Sequence, residues 1–318
     1  VVVFPFFNSE YLEVAVPLAI IGGFDVGIGE FFALASALTW ATAVVLFKFA
    51  GESLSATSLN LFKNLLGATL LIPTSMLAEG LTLPNLSAWE WTIVLTSGFI
   101  GIAVADTWYF LALKIVGAGN TAIVASLYSP FVVILSVVFL GESLNFVQIC
   151  AFLLVLLGIF MVTYQKNRKQ VDAKTFAQGL FFAVGAVLLN AIGIVMVKRI
   201  IEGDGFFWLI TLRLIGGIVG TLLVLALSQK LIKVYSEIIQ PRRWKLIITA
   251  SVLATYISMM FWLAGYKYTD ASTASVLNET ANVFIVIFAW LFLKEELPRR
   301  KLLGIALAFV GVVLFISY

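Results

Sequence analysis

Ten stretches of about twenty mostly apolar residues run through the chain: 30–49, 58–78, 89–115, 118–140, 146–164, 176–200, 206–228, 245–268, 271–293 and 301–318. A helix rises about 1.5 Å per residue and the hydrocarbon of a bilayer is about 30 Å thick, so each stretch is long enough to cross it. The chain is 62% hydrophobic and 12% charged, against roughly 45–50% and about 25% in soluble domains. These features predict an all-α membrane protein with the lipid bilayer as its surroundings, in the plasma membrane, which in a prokaryote is the inner membrane. The stretch 1–28 is different in kind. Pro5, Pro17 and the Gly22-Gly23 pair make it a poor spanning helix, and no basic residue precedes its apolar part as in a secretory signal. It reads as an N-terminal extension at the membrane interface.

Several chemistries are excluded by residue type. A single cysteine, Cys150, cannot form a disulfide framework or a thiolate metal site, and the chain contains no histidine. Net charge +3, with no basic patch interleaved with aromatics in a soluble segment, gives no footprint for nucleic acid. No glycine-rich phosphate loop is visible, so nothing suggests ATP as a fuel. The expectation is a protein without catalytic residues, metal or cofactor.

The chain is also written twice. "GEFFALASALTWATAVVLFK" (29–48) lies over "GLFFAVGAVLLNAIGIVMVK" (179–198) at a spacing of 150, which also brings Lys63 onto Arg213 and Gly67 onto Gly217. From the third helix on the spacing is 153, pairing Trp91 with Trp244, Lys114 with Lys267, Phe131 with Phe284, Glu142 with Glu295 and Gly158 with Gly311. Apolar matches arise by chance, but charged residues recurring in register do not. The reading is a first five-helix repeat at 29–164, a polar linker at 165–175 and a second repeat at 176–318. Because five is odd, the second copy enters the membrane from the opposite face. Inverted repeats of this kind place a site near the midplane, between them.

The first helices with Trp40 or Asn190 followed by Lys48 or Lys198, the basic second helices, and the fourth helices ending in "FLGESL" or "FLKEEL" resemble the two EamA-type repeats of the drug/metabolite transporter superfamily. The resemblance covers residues 29–318. It implies a ten-helix basket around a central cavity that moves a small-molecule substrate, a metabolite or an amino-acid-like solute. The chain departs from the pattern at Lys63, where arginine is expected, and at Val283, which stands opposite Pro130.

Charge inside the membrane marks the candidate site, since a centred charge costs roughly 2.5–3.5 kcal/mol and is kept for a cavity or a partner. Glu279 lies about 12 Å into the ninth helix and Asp106 about 14 Å from the end of the third. The helix ends from which they are counted belong to opposite faces, so both carboxylates fall near the midplane. Ser275, Asn278, Glu279 and Asn282 share one face of the ninth helix. Their fourth-helix counterparts Ala122, Ala125, Ser126 and Ser129 are small, which suits either a cavity wall or close packing. Lys63 shares a level with Asp106, and Arg213 with Glu279, which suggests two ion pairs; snorkelling to headgroups is the alternative. Trp40, Trp108, Tyr109 and Trp262 are the aromatic candidates for contact with a substrate. Glu142 and Glu295 read as structural, capping or pairing at helix ends.

Most of the 20 Lys and Arg fall on the face opposite the N-terminus, which the positive-inside rule makes cytoplasmic, with both termini outside. The family resemblance implies both termini inside. The leading function is a secondary transporter, an exporter by preference, working by alternating access with proton coupling as one option. The alternatives are a non-transporting receptor or scaffold and, weaker still, an intramembrane enzyme.

Overall fold

The structure is a computed structural model; it describes residues 20–21, 24–25, 27–50, 54–163, 172–240, 243–293 and 297–318. Most of the expected extension 1–28, most of the linker 165–175 and Glu295 lie outside these residues. A two-residue antiparallel pair, Ile20–Ile21 against Phe24–Asp25, precedes the helices.

The helices of the first half are α1 (Ile28–Ala50), α2 (Ala56–Glu79), α3 (Ala88–Gly98), α4 (Ala105–Ala125), α5 (Tyr128–Leu140) and α6 (Phe146–Thr163). Those of the second are α7 (Ala173–Ile201), α8 (Phe206–Leu227), α9 (Leu231–Ile239), α10 (Trp244–Ser251), α11 (Ser258–Tyr268), α12 (Ala271–Asn278), α13 (Thr280–Leu293) and α14 (Arg299–Ser317). The polar residues between apolar stretches start these helices. Ser55 caps α2, Ser87 and Glu90 form a capping box on α3, and Asp172 accepts from the amides of Lys174 and Thr175 on α7.

Among the described residues, eight helical stretches are long and apolar enough to cross a membrane, and Tyr128–Leu140 and Phe146–Val162 are apolar but shorter. The fourth stretch read from sequence, 118–140, is thus not one helix. Its first part belongs to α4, and a turn at Ser126–Leu127 detaches α5. Pro130 explains the turn, because it has no N–H to donate to the carbonyl four residues earlier, at Ser126. The helix end expected between residues 115 and 118 is not found: α4 runs unbroken from Ala105 to Ala125. Ala112 and Val124 of α4 are buried in one cluster with Ala183 and Val187 of α7. The ninth stretch is also broken: Glu279 separates α12 from α13.

Burial is arranged for lipid. Large apolar side chains such as Leu77, Val138, Phe146 and Phe309 face outward, while Asn60, Asn64, Ser258, Arg213 and Glu279 are buried. The packing recurs at the spacing found in the sequence. α1 lies along α11, with Gly29 against Tyr268 and Thr269; α7 lies along α4, with Gly179 against Ile115 and Val116. α6 and α14 meet through Gly158 and Gly311. A Cβ on Gly158 would lie 2.5 Å from the Ala308 nitrogen, and one on Gly311 would lie 2.9 Å from the Ala151 carbonyl. One turn of π-helix joins α3 to α4 at Phe99–Val104, and another joins α10 to α11 at Val252–Ile257, 153 residues later.

Candidate functional site

The helices enclose a central cavity of about 480 Å³. Its wall comes from α1 (Ser36, Trp40), α2 (Lys63, Asn64), α4 (Asp106, Tyr109), α7 (Asn190), α8 (Arg213), α11 (Ser258, Trp262), α12 (Asn278) and α13 (Asn282), with Tyr128 of α5 and Glu279 at the break. Repeat-related residues meet across it: Trp40 with Asn190, Lys63 with Arg213, Asp106 with Met259, Tyr109 with Trp262, and Ala125 with Asn278.

The π segments help to build this wall. Each contributes two lining residues, Gly101 and Ile102 in the first and Ala254 and Thr255 in the second. A π turn widens the helix by one residue and shifts the face that follows it. Asp106 and Ser258 both follow such a turn. Gly98 lets α3 approach the backbone of α8 at Arg213, since a Cβ there would meet the Arg213 carbonyl at 1.9 Å.

The ionic groups are not arranged alike. Lys63 Nζ lies 3.9 Å from Asp106 Oδ2 and donates to Asn64 Oδ1 at 3.3 Å, so the first expected pair forms. The second does not. Glu279 is 5% exposed, and its carboxylate accepts from Asn282 Nδ2 at 2.9 Å and from the Ser129 amide at 3.4 Å. Among the described residues no ion pair joins it to Arg213. The Arg213 guanidinium lies over the Trp262 ring, 5.1 Å from its centroid, and its Nε and Nη1 have no hydrogen-bond partner among the described residues. Equal depth along two helices had suggested the pair, but depth says nothing about direction around each helix axis. Beside these groups Tyr128 Oη and Tyr266 Oη are hydrogen-bonded at 2.8 Å, and Trp262 meets Tyr266 edge-on at 5.4 Å.

Of the candidates read from sequence, Glu279, Asn278, Asn282, Asp106, Trp40, Tyr109, Trp262, Lys63 and Arg213 line the cavity. Two do not. Ser275 is fully buried one turn before the break and donates to the Ser272 carbonyl. Trp108 points to the other side of α4, against Phe181, Phe182 and Gly185, about 200° around the helix from Asp106. Ser36, Asn64, Asn190 and Ser258 were missed. Asn190 was visible as the counterpart of Trp40, whereas single serines in apolar helices carry little signal. Glu142 does cap: it accepts from the Ala271 amide at 2.7 Å and from the Ser272 amide and hydroxyl, at the start of α12.

A chain whose described residues are nearly all helical, with an apolar exterior and a polar, charged interior cavity, is a multi-pass membrane protein. The EamA-like transporter family profile matches residues 27–164 and 177–317. The chain belongs to that family and is a transporter. An uncharacterized transporter of Synechocystis sp. is 21% identical over 239 residues, covering 73% of this chain and 67% of the relative. The pseudopaline exporter of Pseudomonas aeruginosa is 24% identical over 290 residues, covering 90% of this chain and 94% of that protein. Among solved structures, one crystal structure has the same fold at a TM-score of 0.74 and 18% identity, covering 90% of this chain and 95% of that one.

Proposed function

We propose that this transporter exports small zwitterionic metabolites, amino-acid-like in their charge pattern, by alternating access, and that it releases them chemically unchanged, as a carrier and not as an enzyme. The observation that carries the reading is the mismatch inside the cavity. Among the described residues, Arg213 has guanidinium nitrogens without acceptors, and Glu279 has amide donors in place of a cation. Buried charge is tolerated where it is compensated. A solute with one carboxylate and one amine would compensate both groups, while Trp40, Tyr109 and Trp262 would contact its apolar part.

Alternating access needs two units that rock about the site. Two inverted five-helix repeats, 29–164 and 176–318, joined by the polar linker 165–175, would supply them, making ten membrane segments in all. The packing at spacings of 150 and 153, the paired π turns and the paired breaks at Ser126 and Glu279 favour this arrangement. Helices interrupted at the midplane also put backbone groups next to a substrate. The likeness to an exporter over most of its length favours the outward direction.

The test is flux. Purified protein in liposomes is expected to move a subset of radiolabelled amino-acid-like zwitterions saturably and to leave the corresponding amides and simple amines behind. Saturable flux of neutral or amine-only solutes with no zwitterion transported would overturn the substrate class. The absence of any flux in correctly inserted protein would overturn carriage itself.

A further inference from the structure

The short helix α9, "LIKVYSEII", sits between α8 and α10 and crosses nothing. Its nine residues would rise only about 14 Å. Two kinds of contact tie it to the protein. Val234 is buried and Ile238 packs on the main core. Glu237 accepts from the Ser58 hydroxyl at 2.6 Å and the Ser55 amide at 3.2 Å, at the start of α2. Hydrogen bonds from Ser55 and Ser58 hold the Glu237 carboxyl below the usual carboxylate range. Trp244, just beyond α9, lies 5.3 Å from the ring of Phe62 on α2.

These contacts use one side of the helix. Leu231, Ile232, Tyr235 and Ile239 fall within about 100° on another side, and all are exposed, Ile232 at 84% and Tyr235 at 68%. Exposed Lys230 and Lys233 lie on the side opposite this apolar face, with Glu237, and exposed Lys245 follows in α10. An exposed apolar face opposite a lysine-bearing polar face, with a tyrosine on the apolar face and a tryptophan just after the helix, is the pattern of a helix lying in the plane of a membrane surface. The location agrees, because the helix joins the ends of two spanning segments, Phe206–Leu227 and Trp244–Tyr268.

We propose that α9 is an in-plane membrane helix whose lysines bind anionic phospholipid headgroups, so that it braces the start of α2 against the bilayer surface. The link to the cavity is direct. α2 carries Lys63 and Asn64 in the wall, little more than one turn beyond the Ser58 contact. Lipid that seats α9 therefore also fixes the end of a helix that has to move when the cavity opens. Each basic residue close to an anionic leaflet contributes about a factor of five to the association, so the lysine pair is enough to make the seating depend on lipid charge.

The test uses the full-length chain in vesicles. Cys150→Ser is combined in turn with Ile232→Cys, Tyr235→Cys or Ser236→Cys, and each single thiol is spin-labelled. Labels at 232 and 235 are expected to collide with oxygen and to be shielded from a water-soluble nickel chelate. That shielding should increase as phosphatidylglycerol replaces phosphatidylcholine, with 236 more accessible to the chelate. Lys230→Gln with Lys233→Gln should raise the phosphatidylglycerol fraction needed severalfold while leaving the thermal stability in detergent unchanged. Chelate access at 232 and 235 in both lipids would overturn the proposal. So would shielding from both reagents with spin–spin broadening, which marks a second copy of the chain as the occupant. Shielding that ignores lipid charge and the lysine substitutions would overturn anionic recognition, as would full replacement of phosphatidylglycerol by soluble glycerol phosphate.

Discussion

Arg213 is 3% exposed and lies over Trp262 with two guanidinium nitrogens unpartnered among the described residues, while Glu279 faces the same cavity with amides as its donors. If each binds one end of a zwitterion, the two substitutions should fail differently. A hydrogen bond to a charged group is worth about 1.5–3 kcal/mol, roughly ten- to a hundred-fold in affinity. Arg213→Gln should weaken carboxylate-bearing ligands by that factor and spare compounds with only an amine; Glu279→Gln should do the reverse. Ligand-induced shifts of the melting temperature across acid, amine and zwitterion analogues measure both, and equal losses for all three in either variant would remove that residue from direct recognition. The residue scale is also where the sequence was least explicit. Asp106 and Glu279 announced themselves by charge in an apolar run, and Tyr109 follows Asp106 by one helical turn. Trp108 was chosen for its type although its azimuth is opposite. Likewise the expected Arg213–Glu279 pair rested on depth alone, and two residues at one level can face different neighbours.

At the scale of elements, helix starts are capped from far along the chain. Glu142, just past α5, caps α12, where Asp270 has the extended backbone of a capping residue but makes no side-chain cap bond. Glu79, at the end of α2, accepts from the amides of Phe207 and Trp208 at 2.9 and 3.0 Å and so caps α8, while Glu237 serves α2 in return. Lost caps cost about 0.5–2 kcal/mol. Glu142→Gln and Glu79→Gln should each lower thermal stability by that order, since glutamine keeps an acceptor but loses the charge favoured at a helix N-terminus. Scanning calorimetry or fluorescence melting in detergent checks it, and an unchanged midpoint in both would mean that water replaces the cap without cost. The helices themselves were legible as apolar stretches of spanning length. These caps were not, except as a suggestion for Glu142, because their partners lie more than a hundred residues away and no local pattern records them. The break at Glu279 was hidden for a related reason: its counterpart at Ser126 is announced by Pro130, whereas Val283 leaves no mark in the sequence.

For the whole molecule the duplication was the most legible feature, since registered charges and glycines survive where apolar residues drift. The wall of the cavity is lined largely by residues related by the same spacing. Symmetry of the wall and asymmetry of its chemistry together bear on the driving force. The chain has no histidine, so an intramembrane proton would have to travel on a carboxylate. Asp106 has a cation, Lys63, beside it. Among the described residues Glu279 has none in an ion pair, and the Ser129 amide of α5 is among its donors. A rocking motion between the halves would change that contact, and with it the solvation that decides protonation. If the carrier works by the proposed alternating access, transport is expected to be proton-coupled through Glu279. In proteoliposomes an imposed pH gradient should drive accumulation of the transported zwitterion against its own gradient. Glu279→Gln should abolish that accumulation while retaining slow downhill exchange. If a gradient changes neither the rate nor the extent of accumulation in the unsubstituted protein, Glu279 serves the substrate amine alone and the solute's own gradient is the only source of work.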